Sequence, residues 1–214
     1  VDSGLLPILR EDPLTFLLLI VALIEAIALH EYAHALAADL QGDRMPRAMG
    51  RLTLNPARHL DPFGTILIVL AGFGWGKPVE FRPRALSSQR FGAALVAVAG
   101  PLMNLGLAVT AAVLLGFLLP EDPFLSDPGV VVRFLALFAS INVVLAVFNL
   151  IPLPPLDGSR LLTIFLPPRH HNVLFFLDKY GFLILIALVL FTGLTFLSPF
   201  IEDVQDLVFR LAGV

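Results

Sequence analysis

The chain has 214 residues, of which 57% are hydrophobic and 14% charged; a soluble domain carries about 25% charged residues, so the composition is that of a membrane protein. A net charge of −3 with dispersed basic residues excludes a nucleic-acid-binding surface. Cysteine is absent, which excludes disulfides and thiolate metal sites and leaves His, Asp and Glu as the only strong metal ligands.

In chain order, the first apolar run is Pro13 to Ala38. It exceeds the roughly 20 residues that cross a bilayer core of about 30 Å. No basic region precedes it and it is too long for a signal peptide, so a retained spanning helix is expected. The loop Gln41 to Asn55 holds two short stretches, Arg44 to Arg47 and Arg51 to Leu54, separated by Gly50, and Pro78 to Phe81 is a third possible strand. Together they predict a small hairpin or sheet. The run Pro62 to Phe73 is half a span long and starts with Asp61 as N-cap and proline at the first helical position, which predicts a short or re-entrant helix. Full spans are predicted at Phe91 to Leu119, Val130 to Leu150 and about Tyr180 to Phe200. Between the last two, three prolines within Pro152 to Pro155 unwind the segment 149–158, and Leu156 to Leu166 reads as another short helix. Ile201 to Leu211 reads as an amphipathic interfacial helix. The fold class expected is an all-α polytopic membrane protein, a single domain over 1–214. It has about four transmembrane helices, short re-entrant helices and a small β-hairpin or sheet in the 41–90 region.

Charge distribution predicts the orientation. Arg44, Arg47, Arg51, Arg58, Lys77, Arg82, Arg84 and Arg90 lie between the first two spans, and Arg160, Arg169 and Lys179 precede the last. The opposite side carries Arg10, Arg133 and Arg210 among nine acids, Asp2, Glu11, Asp12, Glu121, Asp122, Asp127, Glu202, Asp203 and Asp206. By the positive-inside rule both termini are expected outside and the two basic loops in the cytoplasm.

The first span contains His30-Glu31-Tyr32-Ala33-His34. Residues four apart lie one above the other on a helix, so both imidazoles leave one face, and Glu31 stands about 100° round from His30. The alternative is two core histidines and an acid satisfied by neighbours. Ionisable groups gathered in an apolar span are costly unless paired or functional, which favours a metal. A catalytic zinc takes three protein ligands and a water. Asp157, on the unwound segment, is free to supply the third; its bland reading is a helix cap or turn aspartate before Gly158. His30 lies roughly 16 residues into its helix, about 24 Å from the outer end, which places the metal nearer the cytoplasmic face. Glu25, a second acid in this span, points roughly 140° away from His30 and is expected to pair with another helix. Asn104 and Asn149 are candidates to touch substrate, or else interhelical packing groups.

These residues resemble the site-2 protease family, in its compact form without PDZ or CBS domains. The resemblance runs through Gly50 to Pro56, His59 to Thr65, Gly74 to Val79, Ala99 to Asn104 and Asn142 to Gly158. It departs at Gly76, where alanine is usual, and at Glu80, near a strand usually uncharged. The resemblance implies an intramembrane zinc endopeptidase with one Zn2+ per chain. His30, His34 and Asp157 would be the metal ligands and Glu31 the base for a zinc-activated water. Asn149 and Pro152 would engage substrate, and the loop after the first span would contribute membrane-re-entrant strands. Substrates would be single-pass membrane proteins such as tethered regulators, anti-sigma factors or signal-peptide remnants. Without the resemblance, the Arg44 to Leu54 segment reads either as a strand edge for substrate or as a loop binding anionic lipid. One rival function is a zinc transporter or sensor, which would show internal repeats and ionisable groups in several helices, and another is a catalytically silent scaffold for single-pass proteins, which would have no need of a base at Glu31.

Overall fold

The structure, a computed structural model, describes residues 5–71, 74–119, 129–165, 171–193 and 195–213. Among the described residues, four helices are long and apolar enough to cross a membrane: α2 (Pro13–Leu40), α5 (Gln89–Leu118), α6 (Gly129–Asn149) and α8 (His171–Thr192). Shorter helices are α1 (Leu6–Glu11), α3 (Met45–Ala48), α4 (Pro62–Ala71), α7 (Gly158–Phe165) and α9 (Ser198–Ala212). Phe73, the expected end of the short run, and Glu121, Asp122, Asp127, Leu166 and Arg169 lie outside the described residues.

The start of α2 follows from its sequence. Asp12 accepts from the Thr15 amide at 3.0 Å and the Thr15 hydroxyl at 2.7 Å, and Pro13 needs no donor in the first turn. Helix α5 packs on α2, α6, α7 and α9. In a bilayer, helices gain little from burying apolar area, so close approach relies on small side chains. The contact faces accordingly hold Ala22, Ala26, Ala35 and Ala38 of α2, Ala108 and Ala112 of α5, and Ala139 and Ala146 of α6, all fully buried. Pro101 lies inside α5, where it removes the amide that would donate to the Ala97 carbonyl and loosens the ladder over that turn.

Two expectations need correction. The last span is α8, beginning at His171 and ending at Thr192, about eight residues earlier than read from the sequence. Lys179 was expected to precede it, but Asp178 and Lys179 are exposed side chains inside the helix. It stops at Gly193, whose φ of 57° is left-handed, and α9 then starts with Pro199 in its first turn. The small sheet is the second correction. Among the described residues there is no sheet, only an isolated bridge between Leu60 and Gly76. The Met45 to Ala48 stretch is helical because Pro46 fits its first turn and has no amide for a ladder. Around Arg51 the carbonyls that a strand partner would satisfy are met by a side chain, as described below.

The short-helix expectations stand as α4 and α7. Ten residues in α4 rise about 15 Å, half a span. Helix α9 turns Val208 onto Ala108, Ala112 and Val143, so its apolar face packs on α5 and α6, while Glu202, Asp203 and Asp206 stay exposed.

Candidate metal centre

His30 and His34 lie on consecutive turns of α2 and are both buried. Asp157, the residue before α7, reaches them from a segment 123 positions away from His34. Its Oδ2 is 3.0 Å from His30 Nε2 and 3.1 Å from His34 Nε2, and the two Nε2 atoms are 3.0 Å apart. Tetrahedral zinc with bonds of about 2.0–2.1 Å separates its ligand atoms by about 3.3 Å, so this triangle needs only a few tenths of an ångström of relaxation. These three residues are a set that could hold a metal ion.

The hydrogen bonds behind the rings test that fit. The Phe138 carbonyl can only accept, and it takes the Asn142 amide at 2.8 Å. Asn142 Oδ1 therefore accepts from Asn104 Nδ2 at 2.7 Å, and Asn104 Oδ1 is left to accept from His30 Nδ1 at 2.5 Å. His34 Nδ1 likewise donates to the Val96 carbonyl at 2.7 Å. With both Nδ1 atoms donating, each neutral ring turns its Nε2 lone pair toward the carboxylate. Three acceptors at this spacing repel one another unless a cation lies among them. The backbone leaves room for this, because a Cβ on Gly100 would stand 2.5 Å from His34 Nε2 and 2.6 Å from His30 Nε2. Gly158 is similarly constrained: a Cβ there would meet the Leu150 and Ile151 carbonyls, so glycine lets the chain fold back and present Asp157.

His30, Glu31, His34, Asn149 and Asp157 share one cavity of about 430 Å³. Its other walls are mostly apolar and include Ile27, Trp75, Phe148, Phe182 and Leu185. Glu31 Oε2 is buried and accepts no hydrogen bond; its ion-pair partner is Arg51 Nη2 at 3.7 Å. Asn149 spends one N–H on the Leu145 carbonyl at 2.9 Å, leaving a second N–H and its oxygen at the cavity wall. Asn104 is fully buried behind His30 and does not line the cavity. Pro152 is exposed and also off the lining. Glu25 is half-buried, five residues below His30 on α2.

Sequence reasoning missed Arg51, Gly100 and Asn142. Of these, Asn142 carried a usable signal, a carboxamide in the middle of an apolar span.

At the last turn of α2 and in the loop beyond it, a second polar cluster ties the end of α2 to the chain before α5. Asp39 receives Arg44 at 2.8 Å and Arg47 at 2.7 Å. Asp43 accepts from the Arg82 amide at 2.5 Å, the Arg82 guanidinium at 2.9 Å and the Met45 amide at 3.1 Å. Burial pushes the Asp43 pKa up, but these hydrogen bonds outweigh it and hold the carboxyl below its ordinary value. His59, bonded to the Thr53 carbonyl, is held below its ordinary value mainly by burial.

A His-Glu-x-x-His helix, a distant aspartate and an apolar cavity among spanning helices define a membrane-embedded metallohydrolase class. The sequence model of peptidase family M50 matches residues 18–128 and 125–192, and the chain belongs to that family, the site-2 proteases. It is similar to "Putative zinc metalloprotease YwhC" of Bacillus subtilis (strain 168), 38% identical over 90% of each chain. It is also similar to "Putative zinc metalloprotease Rip2" of Mycolicibacterium smegmatis, 32% identical over 82% of this chain and 67% of that one. The Mycobacterium tuberculosis protein of the same name is 31% identical over 93% of this chain and 75% of its own. No solved structure matches. The chain is thus a multi-pass membrane zinc metalloendopeptidase.

Proposed function

We propose that this protease cleaves transmembrane segments of membrane-tethered proteins, with zinc held by His30, His34 and Asp157 and with Glu31 as the general base. The observation that carries the reading is the convergence of three acceptor atoms 3.0–3.1 Å apart, with Glu31 in the same cavity, inside a spanning helix. His30 is about 26 Å along α2 from Pro13 and about 15 Å from Leu40, so the site lies within the bilayer and closer to the Leu40 end. By the charge distribution, that end faces the cytoplasm and both termini lie outside.

When bound, zinc supplies a Lewis acid that acidifies water and polarises the scissile carbonyl. Glu31, one residue from a proposed ligand and with an Oε2 that accepts no hydrogen bond, accepts the water proton and returns it to the leaving amine. Asn104 and Asn142 hold His30 in the tautomer that presents Nε2, and Val96 does the same for His34. The free N–H of Asn149 serves a substrate carbonyl, and the apolar walls receive side chains of a locally unwound membrane segment. Pro152 acts by shaping the segment that presents Asp157. The substrates that fit are single-pass proteins such as tethered regulators, anti-sigma factors or signal-peptide remnants.

The test is cleavage of a single-span substrate by the purified chain, wild type beside Glu31→Gln, with zinc measured on both. Loss of the base is expected to cut the rate by about 10²–10⁴-fold while zinc content stays the same. Cleavage by Glu31→Gln at the wild-type rate would reject Glu31 as base. Loss of zinc from that variant would instead assign Glu31 to the metal.

A further inference from the structure

Arg51 follows Gly50 in a loop rich in basic residues, yet its side chain is only 4% exposed. Its Nη1 donates to the Arg58 carbonyl at 2.8 Å and its Nη2 to the Lys77 carbonyl. The same Nη2 lies 3.7 Å from Glu31 Oε2. That oxygen accepts no hydrogen bond, and Arg51 Nε, also buried, gives none. A basic residue of this loop is therefore turned inward, onto the carboxylate at the centre of the cleft.

We propose that Arg51 is the positioning residue for Glu31, a buried guanidinium that holds the carboxylate in place and fastens one wall of the cleft to it. The proposal rests on the reading of Glu31 as base. Three features support it. A guanidinium keeps its proton throughout the accessible pH range, so Arg51 supplies a fixed cation and cannot replace the base. At 3.7 Å it attracts the carboxylate without occupying a lone pair of Oε2, which leaves the oxygen able to receive a proton. Its remaining bonds go to two segments that meet beside Glu31. Lys77 follows Gly76, where a Cβ would stand 3.4 Å from Glu31 Oε1 and 2.8 Å from Ile27 Cγ2. The Lys77 amide donates to the His59 carbonyl at 2.7 Å, next to the Leu60–Gly76 bridge. One planar side chain thus sets the distance between the base and the Trp75–Lys77 wall.

The competing account makes Arg51 a loop strap with no bearing on Glu31. A strap would change stability and substrate affinity, whereas a positioning residue changes turnover. An isolated buried charge is strongly destabilising once its partner is removed, so a true pair also leaves a thermodynamic signature.

The experiment uses the full chain in detergent with zinc: wild type, Arg51→Gln, Arg51→Lys, Glu31→Gln and the Arg51→Gln/Glu31→Gln double variant. Zinc per chain, kcat, KM and the unfolding temperature are measured. Arg51→Gln is expected to keep its zinc and a KM within about twofold while kcat falls about tenfold to a hundredfold, the usual range for an outer-shell partner. Arg51→Lys is expected to recover most of kcat. The double variant is expected to melt higher than the sum of the single losses predicts. A raised KM with kcat retained, a kcat loss that lysine does not recover, or additive melting shifts would each overturn the proposal. If Arg51→Gln alone does not fold, its recovery in the Glu31→Gln background supports the pair, and failure in both backgrounds rejects it. Should Glu31→Gln cleave like the wild type, the base reading fails on its own, and the melting cycle still reports whether the two residues are coupled.

Discussion

A chain of hydrogen bonds from a main-chain carbonyl of α6 decides which nitrogen of His30 faces the cavity. Phe138 accepts from Asn142, Asn142 from Asn104, and Asn104 from His30 Nδ1. If Asn104 becomes leucine, His30 loses the acceptor that fixes its ring and tautomer, and Asn142 Oδ1 is left buried without a donor. The expected outcome is zinc affinity weaker by about 10–100-fold in a chelator competition, in a chain that still folds. Unchanged zinc affinity would make Asn104 a packing group. The two imidazoles and Glu31 were legible because their chemistry is written in spacing and in the cost of placing them in a membrane, whereas Asp157 stayed open against a cap or turn aspartate until the family resemblance implied it as third ligand. Gly100 and Arg51 were not. The first matters through where the α5 backbone passes the imidazoles, and the second through burial that a count of loop charges does not contain.

At the scale of elements, the join between α2 and the start of α5 depends on charged residues just beyond the apolar run. Asp43 is fully buried and gathers the Arg82 amide, the Arg82 guanidinium and the Met45 amide. Its pKa is depressed in the fold, so its stabilising contribution is complete above the unfolded value near 3.8 and is lost as pH falls through the lower folded value. Asp43→Asn is expected to lower stability at neutral pH by about 2 kcal/mol, the scale of a hydrogen bond to a charged group. The difference between variant and wild type should shrink in melts run below about pH 4, where the unfolded chain takes up a proton at Asp43 while the folded carboxyl stays ionised, and it should vanish only below the lower folded value. A gap that stays constant down to pH 3 would remove the ionised Asp43 from the account. Elements were legible in proportion to their length. Three spans fall within a few residues of their expected bounds because twenty apolar residues leave little choice. The fourth was misplaced because Lys179, read as lying before the span, is an exposed side chain inside its first turns. The small sheet was misread because Pro46 and the Arg51 side chain, not a strand register, decide the path of that loop.

Across the whole molecule, the metal centre is where distant stretches of chain meet. Helix α2 brings two of the proposed ligands, α5 orients both through Val96 and Asn104, and α6 anchors Asn104 through Asn142 and leads into the segment that delivers Asp157. Every one of these approaches is between parts of the fold that also depend on small side chains for contact, with little hydrophobic drive to hold them together inside lipid. An ion shared by α2 and the Asp157 segment is then a tertiary crosslink as well as a reagent. Binding to the folded state alone stabilises by RT ln(1 + [L]/Kd), about 2.7 kcal/mol at a free zinc concentration one hundredfold above Kd. Chelation should therefore lower the unfolding temperature in detergent, and restoring zinc should return it. Asp157→Ala should abolish the response, because two histidines on one helix cannot link it to another segment. Glu31→Gln should keep the response in full, since the proposed ligand set does not include Glu31. A zinc-dependent shift that survives in Asp157→Ala would place the ion on α2 alone and remove Asp157 from the ligand set.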